Sequence, residues 1–297
     1  MENHSKTAHA HPSTAGTLRW SIATAVSLLI LKTAAGLLTH SMAIFASALD
    51  SAMDAASSTV NFVAAREAAK PPDEGHAYGH GKIESLAALF QSLFIGASGL
   101  FLIVESFRRL VRGTHLYQLE IGVGVMAFSM FLSAALVWRL KSAQKKTGSL
   151  ILATESLHYN SDIFANLGVI AALGLVRLTN MAFWDLLFSI AVSGYIFRTS
   201  YMILRRAVDE LLDHSLPPVS KEDIEKIILG TDRSIVGLHN FRSRRVGGQV
   251  FMDFHIEIRG EHDFQRAHDK TEALISRIRL HYPGSDITVH YDPEGAV

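Results

Sequence analysis

Ile44-Phe-Ala-Ser-Ala-Leu-Asp50-Ser-Ala-Met-Asp54-Ala-Ala56 sets two acids in a segment of apolar and small residues, Met42 to Ala65, that carries no other charge. On a helix of 3.6 residues per turn, positions i and i+4 share a face, so both carboxylates point the same way. A charge at the centre of a bilayer costs about 3 kcal/mol or more, and such residues mark ion pathways and proton relays. A second pair repeats the spacing. His158-Tyr-Asn-Ser-Asp162 lies near the start of another apolar segment. Three carboxylates and one imidazole meeting from two helices make a mixed oxygen and nitrogen set of four. That set suits a tetrahedral transition metal, zinc first, with iron(II), cadmium or cobalt as alternatives.

The remaining composition narrows the field. The 297-residue chain is 48% apolar and has no formal net charge, which gives no basic face for nucleic acid. It has no cysteine, so disulfides and thiolate sites are excluded and any metal is held by nitrogen and oxygen. Its 15 histidines are many, and their positions matter more than their number.

Residues 1–17 are polar, with His4, His9 and His11 among Ser, Thr and Ala, and read as a flexible tail. Six apolar segments follow: Leu18 to Leu38, Met42 to Ala65, Ile83 to Val104, Leu116 to Leu140, Leu150 to Leu175 and Phe183 to Leu204. At roughly twenty residues or more, each can cross about 30 Å of hydrocarbon. The chain is therefore expected to be an α-helical membrane protein, with a six-helix transmembrane domain over 18–212. Lys32 interrupts the first segment and is expected to snorkel to a surface or pair with an acid. Small residues crowd the second, which allows close helix approach.

Six spans put both termini on one side. That side carries Lys6, Arg19, Arg66, Lys70, Lys82, Arg139, Lys141, Lys145, Lys146, Arg205 and Arg206, against Arg108, Arg109, Arg112 and Arg177 on the other. The excess of basic residues predicts cytoplasmic termini, with the three arginines after the third span dissenting.

A polar domain begins at Asp213 and runs to 297. Pro217-Pro-Val-Ser220 is expected to cap a helix over Lys221 to Leu229. Ile235 to Val246 reads as a strand and Gly247-Gly248 as a hairpin turn. In Val250 to Ile258, Val250, Met252, Phe254, Ile256 and Ile258 face one way, and Phe251, Asp253, His255 and Glu257 the other. A helix over His262 to Leu280 and a strand over Asp286 to His290 complete an αββαβ order, a small sheet layered with helices.

Together these features resemble the cation diffusion facilitator family of divalent-metal exporters. The residues that carry the likeness are Asp50-x-x-x-Asp54, the loop His76-Ala-Tyr-Gly-His80-Gly-Lys82-Ile-Glu84-Ser, and His158-x-x-x-Asp162, with six spans and an αββαβ cytoplasmic domain. The likeness covers nearly everything after residue 15. The Asp-Asp/His-Asp quartet is most similar to the bacterial zinc, ferrous-iron and cadmium branch, and His158 argues against the manganese and cobalt/nickel branches. The resemblance implies a homodimer in the cell (inner) membrane that exchanges metal for protons.

It implies two further metal sites. Asp73, His76 and His80 match a loop site between spans two and three. His239, His255, His268, His290 and Asp292 match a two-zinc site in the cytoplasmic domain, with structural or regulatory zinc. The residues agree in part: His255 lies opposite the apolar stripe of its strand, His239 and His290 belong to other strands, and His268 is helical. Asp292, at the end of the last strand, is placed to bridge two ions. Tyr291 stands where a small polar residue is expected.

An intramembrane prenyltransferase also uses paired Asp-rich motifs, which hold magnesium and a diphosphate. That enzyme needs hard oxygen ligands and basic residues for the diphosphate. Here a His leads the second motif and no basic residue flanks either, so a transporter and not an enzyme is expected. A metal sensor that binds without transporting is the remaining alternative.

Overall fold

The computed structural model describes residues 12–39, 42–112, 119–179, 181, 183–216, 218–260 and 263–295, and the chain divides into two compact units after Val208. The expected tail lies outside the described residues as far as residue 11. Its remainder is helical, since the first helix begins at Pro12. Leu116 and His262, expected as element starts, also lie outside the described residues.

Among the described residues the first unit is built from α1 (Pro12–Thr39), α2 (Met42–Ala68), α3 (Lys82–Arg112), α4 (Leu119–Thr147), α5 (Leu150–Thr179) and α6 (Phe183–Leu211). With 27 residues in α2 and 31 in α3, these helices are about 40–47 Å long. Large apolar side chains such as Ile30, Phe90, Phe101, Phe131 and Trp138 point outward, as lipid requires. Among the described residues, α1, α3 and α6 are long and apolar enough to cross a membrane, over Thr14–Leu38, Lys82–Val104 and Leu186–Leu211. Helices α2 and α5 bury polar side chains inside the unit. Ser51, Ser58 and Asn61 of α2, and Thr154, Glu155, Ser156 and Ser161 of α5, are buried.

Helix α1 packs on α2 and α4, and α5 packs on α3 and α4. At one end of the unit Leu18, Ala65, Leu136, Leu140, Ile151 and Tyr159 form a buried core from α1, α2, α4 and α5. Gly168 lets α5 approach α6 closely, because a Cβ there would lie 3.0 Å from Val192 Cγ2. Lys32 lies half-buried between α1 and α2. Its ammonium turns inward and donates to Ser51 Oγ at 2.8 Å and to the Ser47 carbonyl at 3.3 Å. These α2 acceptors satisfy the half-buried ammonium, and Asp54, Asp162 and Asp50 also lie near enough to attract it.

The second unit contains α7 (Pro218–Leu229), β1 (Ile235–Val246), β2 (Gln249–Ile258), α8 (Phe264–His281) and β3 (Asp286–Pro293). The sheet order is β1-β2-β3, with β1 antiparallel and β3 parallel to β2. The parallel pair needs a crossover, which α8 supplies. Helix α7 starts at Pro218 rather than after Ser220, since proline suits the first helical position. Helix α8 is capped by Asp263, whose carboxylate accepts from the Gln265 and Arg266 amides. Strand β3 runs beyond His290 to Pro293 because its pairing with β2 continues to Ile258.

The core lies between one sheet face, with Met252, Phe254 and Ile256, and the helices, with Ile224, Ile228 and Leu274. The other sheet face carries the polar half of β2. Phe251 is an exception on that face: it is buried beneath the Arg244 guanidinium, 5.1 Å from its ring centre. Phe254 is 1% exposed, so Phe254→Ala should cost the second unit about 3–5 kcal/mol. Calorimetry on the full-length chain in detergent should show a lower melting transition for that unit.

Candidate metal centres

Helices α2 and α5 run antiparallel, so successive turns of one face successive turns of the other. Asp54 meets His158, and one to two turns on, Ser58 and Asn61 meet Glu155. His158 Nε2 lies 2.9 Å from Asp54 Oδ1 and 4.0 Å from Asp162 Oδ2. Asp54, His158 and Asp162 each offer a ligand atom, and these atoms lie within 4.8 Å of one another. Asp50, one turn earlier on α2, is exposed and falls outside this trio. The structure thus brings together three of the four residues singled out by the two motifs. An imidazole nitrogen and a carboxylate oxygen at 2.9 Å need a proton between them. A metal ion bound by both atoms takes that proton's place.

The loop between α2 and α3 gathers Asp73, His76 and His80. Asp73 folds the loop locally, with Oδ1 accepting from the Gly75 and His76 amides at 3.0 and 2.7 Å. His76 Nδ1 is 3.2 Å from Asp73 Oδ1, His80 Nε2 is 3.2 Å from Asp73 Oδ2, and the two rings are 4.5 Å apart. The hydrogen bond from the His76 amide, chiefly, holds the Asp73 carboxyl below its ordinary range.

The third cluster follows from strand register. His239 pairs with His255 across β1 and β2, and His255 with His290 across β2 and β3, so three imidazoles form one row. The next row on the same face holds Gly237, Glu257 and Asp292. Asp292 collects the row above it. Its Oδ2 lies 3.1 Å from His239 Nε2 and 3.0 Å from His255 Nδ1, and its Oδ1 lies 3.2 Å from His290 Nε2. The contact with His255, first, lowers the Asp292 pKa from the ordinary carboxylate value. Both oxygens of one carboxylate are thus engaged from different sides, as a bridge between two ions requires. Tyr291 points to the opposite face and packs against the core.

His268 is not brought to this row. It sits on α8, in the helical layer, and stacks on Phe264 with ring centres 6.5 Å apart. The sheet separates that layer from the histidine face.

Two further acids, outside the sequence motifs, lie beside these clusters. Glu257 Oε1 is 3.6 Å from His239 Nδ1, which is buried and has no hydrogen-bond partner closer. Gly237 makes the room, since a Cβ there would meet the Glu257 carboxyl at 3.1 Å. The signal was present in the strand alternation, which puts Glu257 on the face of His255. The other is Glu155, fully buried three residues before His158. Like Asp50 and Asp54, it is an acid inside an apolar helical segment, a signal visible in the sequence.

Residues 18–212 match the cation efflux transmembrane domain, and residues 216–294 match the cation efflux protein cytoplasmic domain. The chain belongs to the cation diffusion facilitator family. Among its relatives, the cation-efflux pump FieF of Shewanella oneidensis is 36% identical over 277 residues, 93% of this chain and 92% of the relative. Protein p34 of Rickettsia prowazekii is 34% identical over 277 residues, 93% of this chain and 91% of its own. The solved metal-bound C-terminal domain of the CzcD transporter from Thermotoga maritima is 26% identical, covering 28% of this chain and 99% of that one, with a TM-score of 0.25. As a member of the cation diffusion facilitator family, the chain is a membrane transporter of divalent metal cations and not an enzyme.

The placement of Glu257 behind His239 has a measurable consequence. A carboxylate that accepts from the far nitrogen of a ligating histidine fixes its tautomer, and its loss weakens metal affinity about 10–100-fold. Zinc titration calorimetry on the full-length chain carrying Asp54→Ala, His76→Ala and His80→Ala isolates the sheet cluster. Glu257→Ala in that background should weaken zinc binding at least about tenfold, and Glu257→Gln should retain most of it because the amide oxygen accepts the same bond. Equal affinity in Glu257→Ala excludes the supporting role.

Proposed function

We propose that this chain exports zinc, with iron(II) and cadmium as alternative substrates, in exchange for protons across the inner or plasma membrane. The observation that carries the proposal is the Asp54–His158–Asp162 trio between α2 and α5. Its oxygen and nitrogen donors suit a borderline transition metal better than magnesium or calcium. Asp50 completes the quartet from the next turn of α2 when the ion is bound. All six long helices cross the bilayer, with both termini in the cytoplasm, as the distribution of basic residues supports. The name cation-efflux pump given to the FieF relatives supports export as the direction.

The 2.9 Å contact supports the exchange for protons. The position of the ion and the position of the proton between His158 and Asp54 coincide, so loading one displaces the other. Three carboxylates left by the departing ion cannot all stay ionised in a low dielectric. A more acidic exterior therefore favours release.

The working unit in this reading is a homodimer. The sheet cluster fits a resident zinc site, since it offers three imidazoles gathered around one carboxylate that is engaged on both oxygens. His239, His255, His290 and Asp292 would hold it, and zinc there would neutralise crowded polar groups and stabilise the domain. His268 joins such a site only from a second copy, because its own sheet lies between. The exposed loop cluster of Asp73, His76 and His80 would bind zinc more weakly.

Two outcomes test the transport reading. Asp54→Ala should abolish zinc uptake into inverted vesicles while the protein stays folded, and an imposed inward-acid gradient should drive uptake in the parent chain. Normal flux in the variant, or flux indifferent to the gradient, contradicts it. Replacing the imidazole with a fourth carboxylate should change selectivity: in metal competition assays, His158→Asp should lose preference for zinc and cadmium over manganese. An unchanged ranking would assign selectivity to other residues.

A further inference from the structure

Side-chain exposure changes steeply across the α2–α5 trio. Asp162 is 45% exposed, Asp54 20% and His158 14%. One turn nearer the Arg66–Lys82 loop, Ser58, Asn61, Glu155 and Tyr159 are 0–1% exposed. Beyond them Ala65 and Ile151 are packed in an apolar core. The ligand cluster is thus open towards Asp50 and Asp162 and shut towards the loop.

The closing layer is polar and nearly saturated. Glu155 Oε1 accepts from Ser58 Oγ at 2.5 Å, and Glu155 Oε2 accepts from Asn61 Nδ2 at 2.5 Å. Tyr159 Oη lies 3.3 Å from Ser58 Oγ and donates to the Ser21 carbonyl of α1 at 3.4 Å. An acid inside a membrane protein is tolerated only with such partners, and apolar residues would pack the same helices together without that demand. The choice of a carboxylate here therefore asks for a purpose other than adhesion. Hydrogen bonds between two helices can open and re-form as alternatives, whereas packed apolar surfaces in lipid gain nothing specific from doing so.

We propose that Glu155, held by Ser58 and Asn61, is a latch that joins α2 to α5 and shuts the Asp54–His158–Asp162 cluster off from the Arg66–Lys82 side. The proposal rests on the transport reading above, in which an ion must pass this layer. Glu155 acts through the helices as a positioning residue. Movement of the ion past it requires the two α2–α5 hydrogen bonds to break, and their return recloses that side.

The absence of cysteine makes the test direct. Asp54→Cys in the full-length chain supplies a single thiol beside His158. Its labelling rate with a membrane-impermeant methanethiosulfonate is measured in vesicles of each orientation. With Glu155 present, labelling should come only from the face opposite the Arg66–Lys82 loop. Glu155→Ala removes two hydrogen bonds to a carboxylate and should raise the rate from the loop face about tenfold or more. Glu155→Gln should raise it less, since its amide still pairs with Asn61. Asn61→Ala, which removes one bond, serves where Glu155→Ala does not fold, and should give a smaller rise in the same direction. A folded variant of either kind whose labelling stays on one face overturns the latch and leaves Glu155 as fixed structure. Labelling of the Glu155 chain from the loop face overturns it too. Flux of the chain with Asp54 intact is measured alongside: no flux with a shifted labelling pattern removes the transport reading and keeps the latch.

Discussion

A carboxylate inside a bundle of membrane helices must find a counter-group, and in this chain the contact between Asp54 and His158 answers that demand. The contact spans 2.9 Å and comes from two antiparallel helices. Its dependents extend in both directions. Towards one end, Asp162 and Asp50 enlarge the acidic group, and Lys32 donates to Ser51 and Ser47 on the same helix. Towards the other, Ser58, Asn61, Glu155 and Tyr159 consume one another's hydrogen bonds in a dry layer. Helices α2 and α5 are therefore polar along their mutual face while their outer faces carry exposed apolar side chains such as Leu49, Val60, Phe164 and Leu167.

The second unit solves a similar problem by register. A parallel pair and an antiparallel pair align His239, His255 and His290 in one row and deliver Asp292 beneath them. A shift of one residue in either pairing would turn a histidine into the apolar core. The large buried side chains Met252, Phe254 and Ile256 hold that register from the other face. The packing of the core and the geometry of the candidate metal cluster are thus one constraint seen from two sides of the sheet.

Much of this was legible from residue spacing. The i, i+4 spacing put Asp50 with Asp54, and His158 with Asp162, on one face of their own helices, because helical periodicity is rigid and needs no tertiary information. Alternation in β2 assigned His255 its face for the same reason. What spacing did not supply was distance between elements. It did not separate Asp50 from the trio, nor His268 from the sheet row, because each depends on how layers stack. It also did not find where Lys32 turns, since a long flexible side chain chooses among acceptors that only the packed helices reveal. Glu155 and Glu257 were readable in principle. Both sit at helical or strand offsets from candidate histidines, on the same faces, although neither belongs to an i, i+4 motif.

The central claim is that a transported ion is held between α2 and α5. Anomalous diffraction at the zinc edge from crystals of the full-length chain soaked in zinc measures this directly. The account predicts a peak about 2.0–2.2 Å from His158 Nε2 and from carboxylate oxygens of Asp54 and Asp162, lost in Asp54→Ala crystals. Peaks confined to the loop and sheet clusters, with none between α2 and α5, would contradict it.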